Sequence, residues 1–256
     1  MKRCRFCNRN KPALAKAHVI PRSFFKIVRG QAKHSTEMRV TRNAMKATYR
    51  QAGHYDGDIL CKECEQKFSP YDAHGHSVFT NVFKEPNIYR DAAGFECAYL
   101  LPDVDFLLLK LFVLSVLWRA SVSRLFFYSK VDLGARHEAK IKSLIANGTI
   151  DDSDDYQFVC SHHKDHPYPN VILPPLSQKI GGINYVHLSL PNVQLLVKVD
   201  KRPMPDVFRK IMVTPNPPHY MVLFPFRGSS SQDYFEGMKA VIREHWATKG
   251  KERRAG

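Results

Sequence analysis

The sequence has no apolar run long enough to cross a membrane. Its longest run, residues 106–118, is interrupted by Lys110 and Ser115, whereas a membrane-spanning helix needs about 20 residues. The first residues also lack the apolar segment of a signal peptide, so we expect a cytoplasmic, reducing location and no membrane partner. Internal repeats, a glycine-rich phosphate loop and a nucleophile elbow are all missing, which excludes the classes of protein built on them.

Acidic residues are scarce at the start of the chain. Residues 1–52 hold fourteen Lys or Arg and one acid, Glu37, so they carry 14 − 1 = +13 of the total charge of +15. Such a concentration is typical of a region that meets a polyanion, most commonly a phosphate backbone. We therefore expect a nucleic-acid partner, with these candidate contacts: Arg22, Lys26, Arg39, Arg42, Lys46 and Arg50. A solvated basic surface, or an arm that docks on an acidic protein, is the alternative.

The sequence has six cysteines, and four of them form two C-x2-C pairs. Cys4 and Cys7 open the chain, and Cys61 and Cys64 follow after a gap of 53 residues. Paired C-x2-C motifs in a reducing compartment are typical of a tetrahedral thiolate site, and zinc is the expected ion. Such a site would tie residues 1–65 into one unit. The alternatives are disulfides or small buried apolar residues. Cys97 and Cys160 have no close partner in sequence, and we expect them to be core or loop residues and not ligands.

Apolar patterns predict the remaining elements. We expect a short helix from Ser23 to Gly30, a helix from Cys61 through Phe68 that ends before Pro70, and an amphipathic helix over 133–147 that ends at Gly148. The apolar run 106–118 predicts a buried helix that extends to about Tyr128, with Arg119 snorkelling or paired to an acid. β-branched and aromatic content predicts strands, and Ser230 to Trp246 is expected to be helical. The predicted strands are 156–160, 171–173, 184–189, 193–199 and 220–226.

Three stretches of the sequence carry a family resemblance. They are Ala17-His18-Val19-Ile20-Pro21, the segment from Tyr55-Asp56-Gly57-Asp58 through Ile59-Leu60-Cys61-Lys62-Glu63-Cys64-Glu65, and Leu117-Trp118-Arg119-Ala120-Ser121. Together with the first cysteine pair they resemble the zinc-knuckle subgroup of HNH nucleases, which have the ββα-metal (His-Me finger) fold. They look most like a family of bacterial HNH-like proteins. The short motifs cover residues 4–72, and the Trp-Arg segment extends the likeness further.

The resemblance implies a role for three residues. His18 would be the general base that activates water. Asp56 stands at the family's asparagine position and Glu65 at its metal-binding histidine. Two carboxylates would suit magnesium or manganese, or they would mark lost catalysis. Structural alternatives also stand: a turn residue at Asp56, a first-turn helix acid at Glu65 and a packed imidazole at His18.

Other candidates carry less weight. Asp72, His74 and His76 follow the second cysteine pair closely enough to contribute a ligand, and His54 could orient a phosphate. Residues 160–166 resemble a second metal cluster by composition, and we interpret that cluster as incidental.

We therefore predict an α+β protein, with an N-terminal zinc-knuckle ββα-metal (HNH-like) module at 1–78 and a mixed helix and strand domain at 79–256. The expected function is a metal-dependent HNH-type endonuclease that acts on nucleic acid, with DNA as the expected form. Zinc would be structural, and magnesium or manganese catalytic. The alternatives are a non-catalytic zinc-stabilised nucleic-acid-binding protein and a protein-interaction module.

Overall fold

The computed structural model describes residues 1–29, 37–39, 48–50, 55–151, 153–166 and 170–225, with the backbone alone at 29, 37–39 and 48–50. This part of the chain is a mixed α/β protein. Its elements are, in chain order, β1 (Lys2–Arg3), β2 (Asn10–Lys11), β3 (Ala17–His18), α1 (Arg22–Arg29), β4 (Glu37–Arg39), β5 (Thr48–Arg50), β6 (Tyr55–Asp56), α2 (Lys62–Asn81), β7 (Ile88–Arg90), β8 (Glu96–Leu100), α3 (Phe106–Val122), α4 (Gly134–Asn147), β9 (Phe158–His163), β10 (Leu176–Ile180), β11 (Ile183–Leu190), β12 (Val193–Lys198), α5 (Asp206–Arg209) and β13 (Tyr220–Phe224).

A seven-stranded sheet runs in the order β10-β11-β12-β9-β13-β8-β7. Neighbouring strands are antiparallel except for β9 and β13, which pair in parallel. The strands predicted at 156–160, 184–189, 193–199 and 220–226 are confirmed as β9, β11, β12 and β13. We call α3, α4 and this sheet the helix–sheet core.

Other strand predictions were incomplete or wrong. Residues 171–173 do not form a strand, because Pro174 and Pro175 follow them directly and neither can donate to a ladder. The strands β7, β8 and β10 were not predicted. The predicted helix at 230–246 lies outside the described residues.

The apolar helix α3 lies at the centre of the core. Thirteen of its 17 residues are buried, because its sequence is apolar on every side. Asp105 caps its start by accepting a hydrogen bond from the backbone of Leu108. The prediction that it extends to Tyr128 was wrong: the backbone becomes extended at Ser123, and residues 126–128 form a separate 3-10 turn. In the described residues no helix combines the length and apolarity that a membrane crossing requires.

Helix α2 continues beyond its predicted end. It passes through Pro70 to Asn81, because its second half packs on α3 and this burial offsets the lost backbone hydrogen bond. Gly75 makes the close contact possible: a Cβ there would lie 2.3 Å from the ring of Phe112. The predicted boundary between residues 78 and 79 falls inside this helix. One hydrophobic cluster runs from Cys4 to Met221, and the division into two domains stays a prediction.

Candidate metal centre and the surroundings of His18

The four paired cysteines come together at the start of α2. Cys4 and Cys7 lie in the turn between β1 and β2, Cys61 caps α2 and Cys64 lies in its first turn. All four Sγ atoms lie within 4.8 Å of one another, and Cys7 and Cys61 are 3.9 Å apart. A tetrahedral ion with Zn–S bonds of about 2.3 Å requires sulfur separations of about 3.8 Å. The cluster therefore fits a metal ion such as zinc.

The acidities of the thiols also suit a cation. Burial raises the pKa of Cys4, but backbone N–H groups, among them that of Cys61 at 3.3 Å, outweigh it and lower the pKa to about 7. The pKa of Cys64 is raised, first by burial and also by the charge of Cys4. The Cys4 thiolate therefore forms easily, and its negative charge disfavours deprotonation of Cys64. A divalent ion would remove this conflict, because it stabilises all four thiolates.

Backbone and ionic contacts connect the two cysteine turns. The amides of Arg5 and Ala15 donate to the carbonyls of Ile59 and Leu60, at 2.9 and 2.8 Å. At the surface, Lys11 pairs with Glu63 at 2.9 Å. The described residues 1–29 and 55–65 thus behave as one piece, which we call the knuckle unit. Its Phe6 packs against Phe68 and Trp118, with ring centroids at 5.1 and 5.3 Å, and so joins it to α2 and α3.

The two strands β3 and β6 form an antiparallel ribbon in which Ala17 pairs with Asp56 and His18 with Tyr55. Residues that are paired across a ribbon share a face, and successive residues alternate. Ala17 and Asp56 accordingly face the interior, while His18 and Tyr55 are half-buried on the other side. The ribbon therefore separates the side chains of His18 and Asp56 and does not bring them to one site.

The carboxylate of Asp56 has a structural task. One oxygen accepts from the amide of Asp58 at 2.9 Å, and the other from the hydroxyl of Ser123 at 2.7 Å and the amide of Arg124 at 3.2 Å. These bonds hold the chain immediately after α3, which explains why that helix ends where it does. Asp56 is 4% exposed, and these three donors occupy three of the about four acceptor sites of its carboxylate.

Arg119 connects His18 to α2. Its guanidinium donates to both oxygens of Asp72, at 2.6 and 2.9 Å, and to the carbonyl of His18 at 2.7 Å. It is 2% exposed and lies over the ring of Phe68, 5.2 Å from the centroid. The alternative in which Arg119 pairs with an acid is confirmed. A buried cation thus fixes the strand that carries His18 to the helix that carries Glu65.

Glu65 lies half-buried on the face of α2 that also bears Asp72. Burial raises its pKa, while Arg119 lowers it and Asp72 raises it through their charges. Within the described ranges the four cysteines are the one group of three or more ligand side chains close enough to share an ion. Asp56 and Glu65 are not part of such a group, and the magnesium or manganese ion stays a prediction.

The remaining candidates are dispersed. Arg22 and Lys26 are exposed on α1. The side chains of Arg39 and Arg50, and residues Arg42, Lys46 and His54, lie outside what the structure describes. His74 accepts from the amide of Asp105 at 3.1 Å, and His76 packs on Phe24.

Residues 160–166 begin inside the sheet, in β9. Cys160, His162 and His163 lie in β9 and are buried. One ring nitrogen of His162 lies 2.7 Å from the carbonyl of Asn192, and burial lowers the pKa of the imidazole. These contacts agree with the interpretation that the cluster is incidental.

Comparisons with family models, with curated proteins and with solved structures gave no match for this chain. The likeness to HNH nucleases therefore rests on the quoted motifs alone.

Two features of this region were missed by sequence reasoning. The bond from Arg119 to the carbonyl of His18 joins residues 101 positions apart, and the bonds from Ser123 and Arg124 to Asp56 join residues 67 and 68 positions apart. No local pattern marks either contact. The only signals were an arginine inside an apolar helix and an acid beside a turn glycine.

Proposed function

We propose that this protein is a zinc-stabilised nucleic-acid-binding protein. Zinc held by Cys4, Cys7, Cys61 and Cys64 would keep the knuckle unit folded, and the cations of that unit would contact phosphates. The observation that carries this proposal is the charge of residues 1–28, which hold eight Lys or Arg and no acid. Each of these eight residues is exposed or half-buried. Of these eight cations, only Lys2 and Lys11 have the carboxylate of a described residue within ion-pair distance.

Unpaired cations on a small rigid unit repel one another, and an anionic partner relieves this repulsion. A nucleic acid is such a partner, and its binding releases counterions, so affinity would fall steeply with salt. Residues 1–28 hold no acid that could neutralise this surface, and the four acids of residues 55–65 leave the knuckle unit with a net charge of 10 − 4 = +6. This distribution favours a binding surface over a solvated one.

The test measures the affinity of the protein for duplex DNA, single-stranded DNA and RNA of equal length between about 50 and 200 mM salt. We expect binding whose logarithm falls linearly with the logarithm of salt concentration. The double variant Arg22→Gln/Lys26→Gln should reduce the slope by about 2, because each lost phosphate contact lowers it by about 0.9. The control is Lys201→Gln/Lys210→Gln, which removes the same charge from exposed positions near α5. Absent or salt-independent binding would contradict the proposal.

A second candidate is hydrolysis of the bound strand, with His18 as general base. The observation that favours it is the anchoring of His18 by Arg119, because a fixed backbone keeps an imidazole in position beside the acids of α2. An imidazole with a pKa near neutrality can accept a proton from water. DNA would be the expected substrate.

This candidate is tested with His18→Ala in a plasmid-nicking assay, with and without added divalent ions. The loss should be about 10²- to 10⁴-fold in rate with little change in affinity. His74→Ala is the matched control, since it removes a half-buried imidazole from α2. If the wild-type protein cleaves nothing, or if His18→Ala cleaves as fast as the wild type, the protein is a binder only.

A further inference from the structure

A broad groove separates the first cysteine turn from the helices α3 and α4. Its volume is about 830 Å³, within the range of about 300–1,000 Å³ that is usual for ligand sites. Asp58 and Arg124, whose amides donate to Asp56, line it, whereas His18 does not. The phosphate contacts proposed above for the cations of the knuckle unit do not by themselves assign a site to it.

One wall of the groove is a flat face of α4. Ala135, Glu138, Ala139 and Lys142 line it, and their spacing of three and four residues puts them on one side of the helix. The adjoining side of α4 carries Ile141 and Ile145, which are buried in the core. Because Ala135 and Ala139 are small and exposed, an extended ligand can approach the helix closely.

The rim of the groove is cationic. It carries a net charge of 5 − 2 = +3, from the cations Lys2, Arg3, Arg5, Arg124 and Lys142 and the acids Asp58 and Glu138. Both acids are already engaged: Asp58 pairs with Lys2 at 2.5 Å, and Glu138 accepts from the hydroxyl of Ser121 at 2.6 Å.

Among the residues that the structure describes, Arg5 and Arg124 are the two cations of the rim whose side chains have no partner. Neither guanidinium has a hydrogen bond or a carboxylate within ion-pair distance there, whereas Lys142 donates to the carbonyl of Arg5 at 3.1 Å and Arg3 donates to that of Asn8 at 3.3 Å. Both guanidinium groups line the groove together with Asp58.

We propose that this groove binds the phosphodiester backbone of a nucleic-acid strand, with Arg5 and Arg124 as its main phosphate ligands. The proposal rests on the nucleic-acid-binding function given above and assigns a specific site to it. One guanidinium group can donate two parallel hydrogen bonds to the oxygens of a phosphate. The flat alanine face leaves room for the strand to pass along α4.

The parts of this chain that lie outside the described residues do not complement the groove. Residues 30–54 carry five Lys or Arg and one acid, 5 − 1 = +4, and residues 226–256 carry seven and four, 7 − 4 = +3. Both segments are cationic, as is the rim. Charge complementarity therefore favours a separate anionic molecule as the occupant.

The experiment compares oligonucleotide affinity and its salt dependence in three groups of full-length proteins. Arg5→Gln/Arg124→Gln removes both proposed ligands, and Lys201→Gln/Lys210→Gln again serves as the charge control. Ala139→Glu places a negative charge in the groove without removing any native contact, and Ala139→Gln is its neutral control. For Arg5→Gln/Arg124→Gln we expect affinity to fall roughly tenfold or more at low salt, and the slope of log affinity against log salt concentration to be lower by about 2. Ala139→Glu should also weaken binding, whereas Ala139→Gln should not. Thermal unfolding would confirm that each variant is folded.

The outcomes separate this proposal from the one on which it rests. If the wild-type protein binds no nucleic acid at low salt, both are overturned. If it binds and Arg22→Gln/Lys26→Gln weakens binding, while Arg5→Gln/Arg124→Gln and Ala139→Glu bind as the wild type does, the groove alone is overturned. If poly-glutamate of equal charge displaces the oligonucleotide as effectively as unlabelled oligonucleotide does, the groove takes an acidic peptide and the assignment to nucleic acid fails.

Discussion

The knuckle unit and the helix–sheet core are held together by different means. The strands of the knuckle unit are each two residues long, and its 40 or so residues are about the size at which a chain needs a metal or disulfides to fold. In the helix–sheet core, α3 buries thirteen residues and β11 and β12 are eight and six residues long. The first region combines a cluster of four sulfur atoms with its share of the apolar core, and the second relies on apolar burial alone.

Charge is also unevenly distributed: residues 1–29 of the knuckle unit hold nine Lys or Arg and no acid, whereas its residues 55–65 hold one Lys and four acids. Residues 1–52 carry +13 of the total charge of +15, which leaves +2 for the other 204 residues. A region that does not rely on a large apolar core can expose many cations, provided that a crosslink opposes their repulsion. This difference explains how one chain can combine a cationic surface with a stable interior. It also predicts which perturbations should affect one region and spare the other.

The largest effect is expected on removal of the metal or of one of its ligands. Cys61→Ser, or chelation of the wild-type protein, should unfold the knuckle unit, because a structural zinc contributes on the order of 10 kcal/mol to folding. Hydrogen exchange should show loss of protection at β1, β2 and the first turn of α2, with α3, β11 and β12 still protected. Cys97→Ser is the matched control and should change nothing, since Cys97 is a half-buried cysteine outside the cluster. Equal loss of protection in both regions would show that they fold as one unit.

The next largest effect concerns the junction between the two regions. Arg119→Met should cost about 3–5 kcal/mol, because it leaves the Asp72 carboxylate without its buried partner. The double variant Arg119→Met/Asp72→Leu should recover most of this loss, since apolar replacement of a buried ion pair is often close to neutral. Denaturant unfolding measures both. A double variant as unstable as the single one would instead attribute the loss to the bond with His18.

A buried lysine tests the helix–sheet core by pH. Lys110 donates to the carbonyl of Tyr156, and burial lowers its pKa from 10.5 to about 7. Between these values the unfolded chain binds more protons than the folded one, so the free energy of unfolding should rise as pH increases from about 7 to 10.5. Relative to the wild type, Lys110→Met should be more stable by roughly 2–4 kcal/mol at neutral pH and should lose this gain at high pH. A difference between the two proteins that does not vary with pH would contradict the lowered pKa.

The smallest effect is expected where α2 meets α3. Gly75→Ala places a methyl group 2.3 Å from the ring of Phe112, and overpacking of this kind costs about 1–3 kcal/mol. The matched control is Ser77→Ala, at an exposed position of the same helix. Chemical denaturation should show the first variant destabilised and the second nearly unchanged. No difference between the two would mean that the helices separate easily at this point.

Local sequence patterns were sufficient to predict some features of this protein. Two C-x2-C pairs predicted the cysteine cluster, an apolar run interrupted only by Lys110 and Ser115 predicted α3, and β-branched runs predicted β9, β11, β12 and β13. Each of these signals lies within a few residues, because ligand spacing and burial periodicity are local properties of the chain.

Packing between distant elements determines which contacts the other candidate residues make. Asp56 resembled a catalytic position, but the pairing of β3 with β6 turns it away from His18 and towards Ser123 and Arg124. Arg119 and Asp72 form an ion pair, and Arg5 and Arg124 line the same groove. The groups in these contacts are separated by 47 to 119 positions along the chain. Because such contacts depend on packing between distant elements, no motif could have specified them.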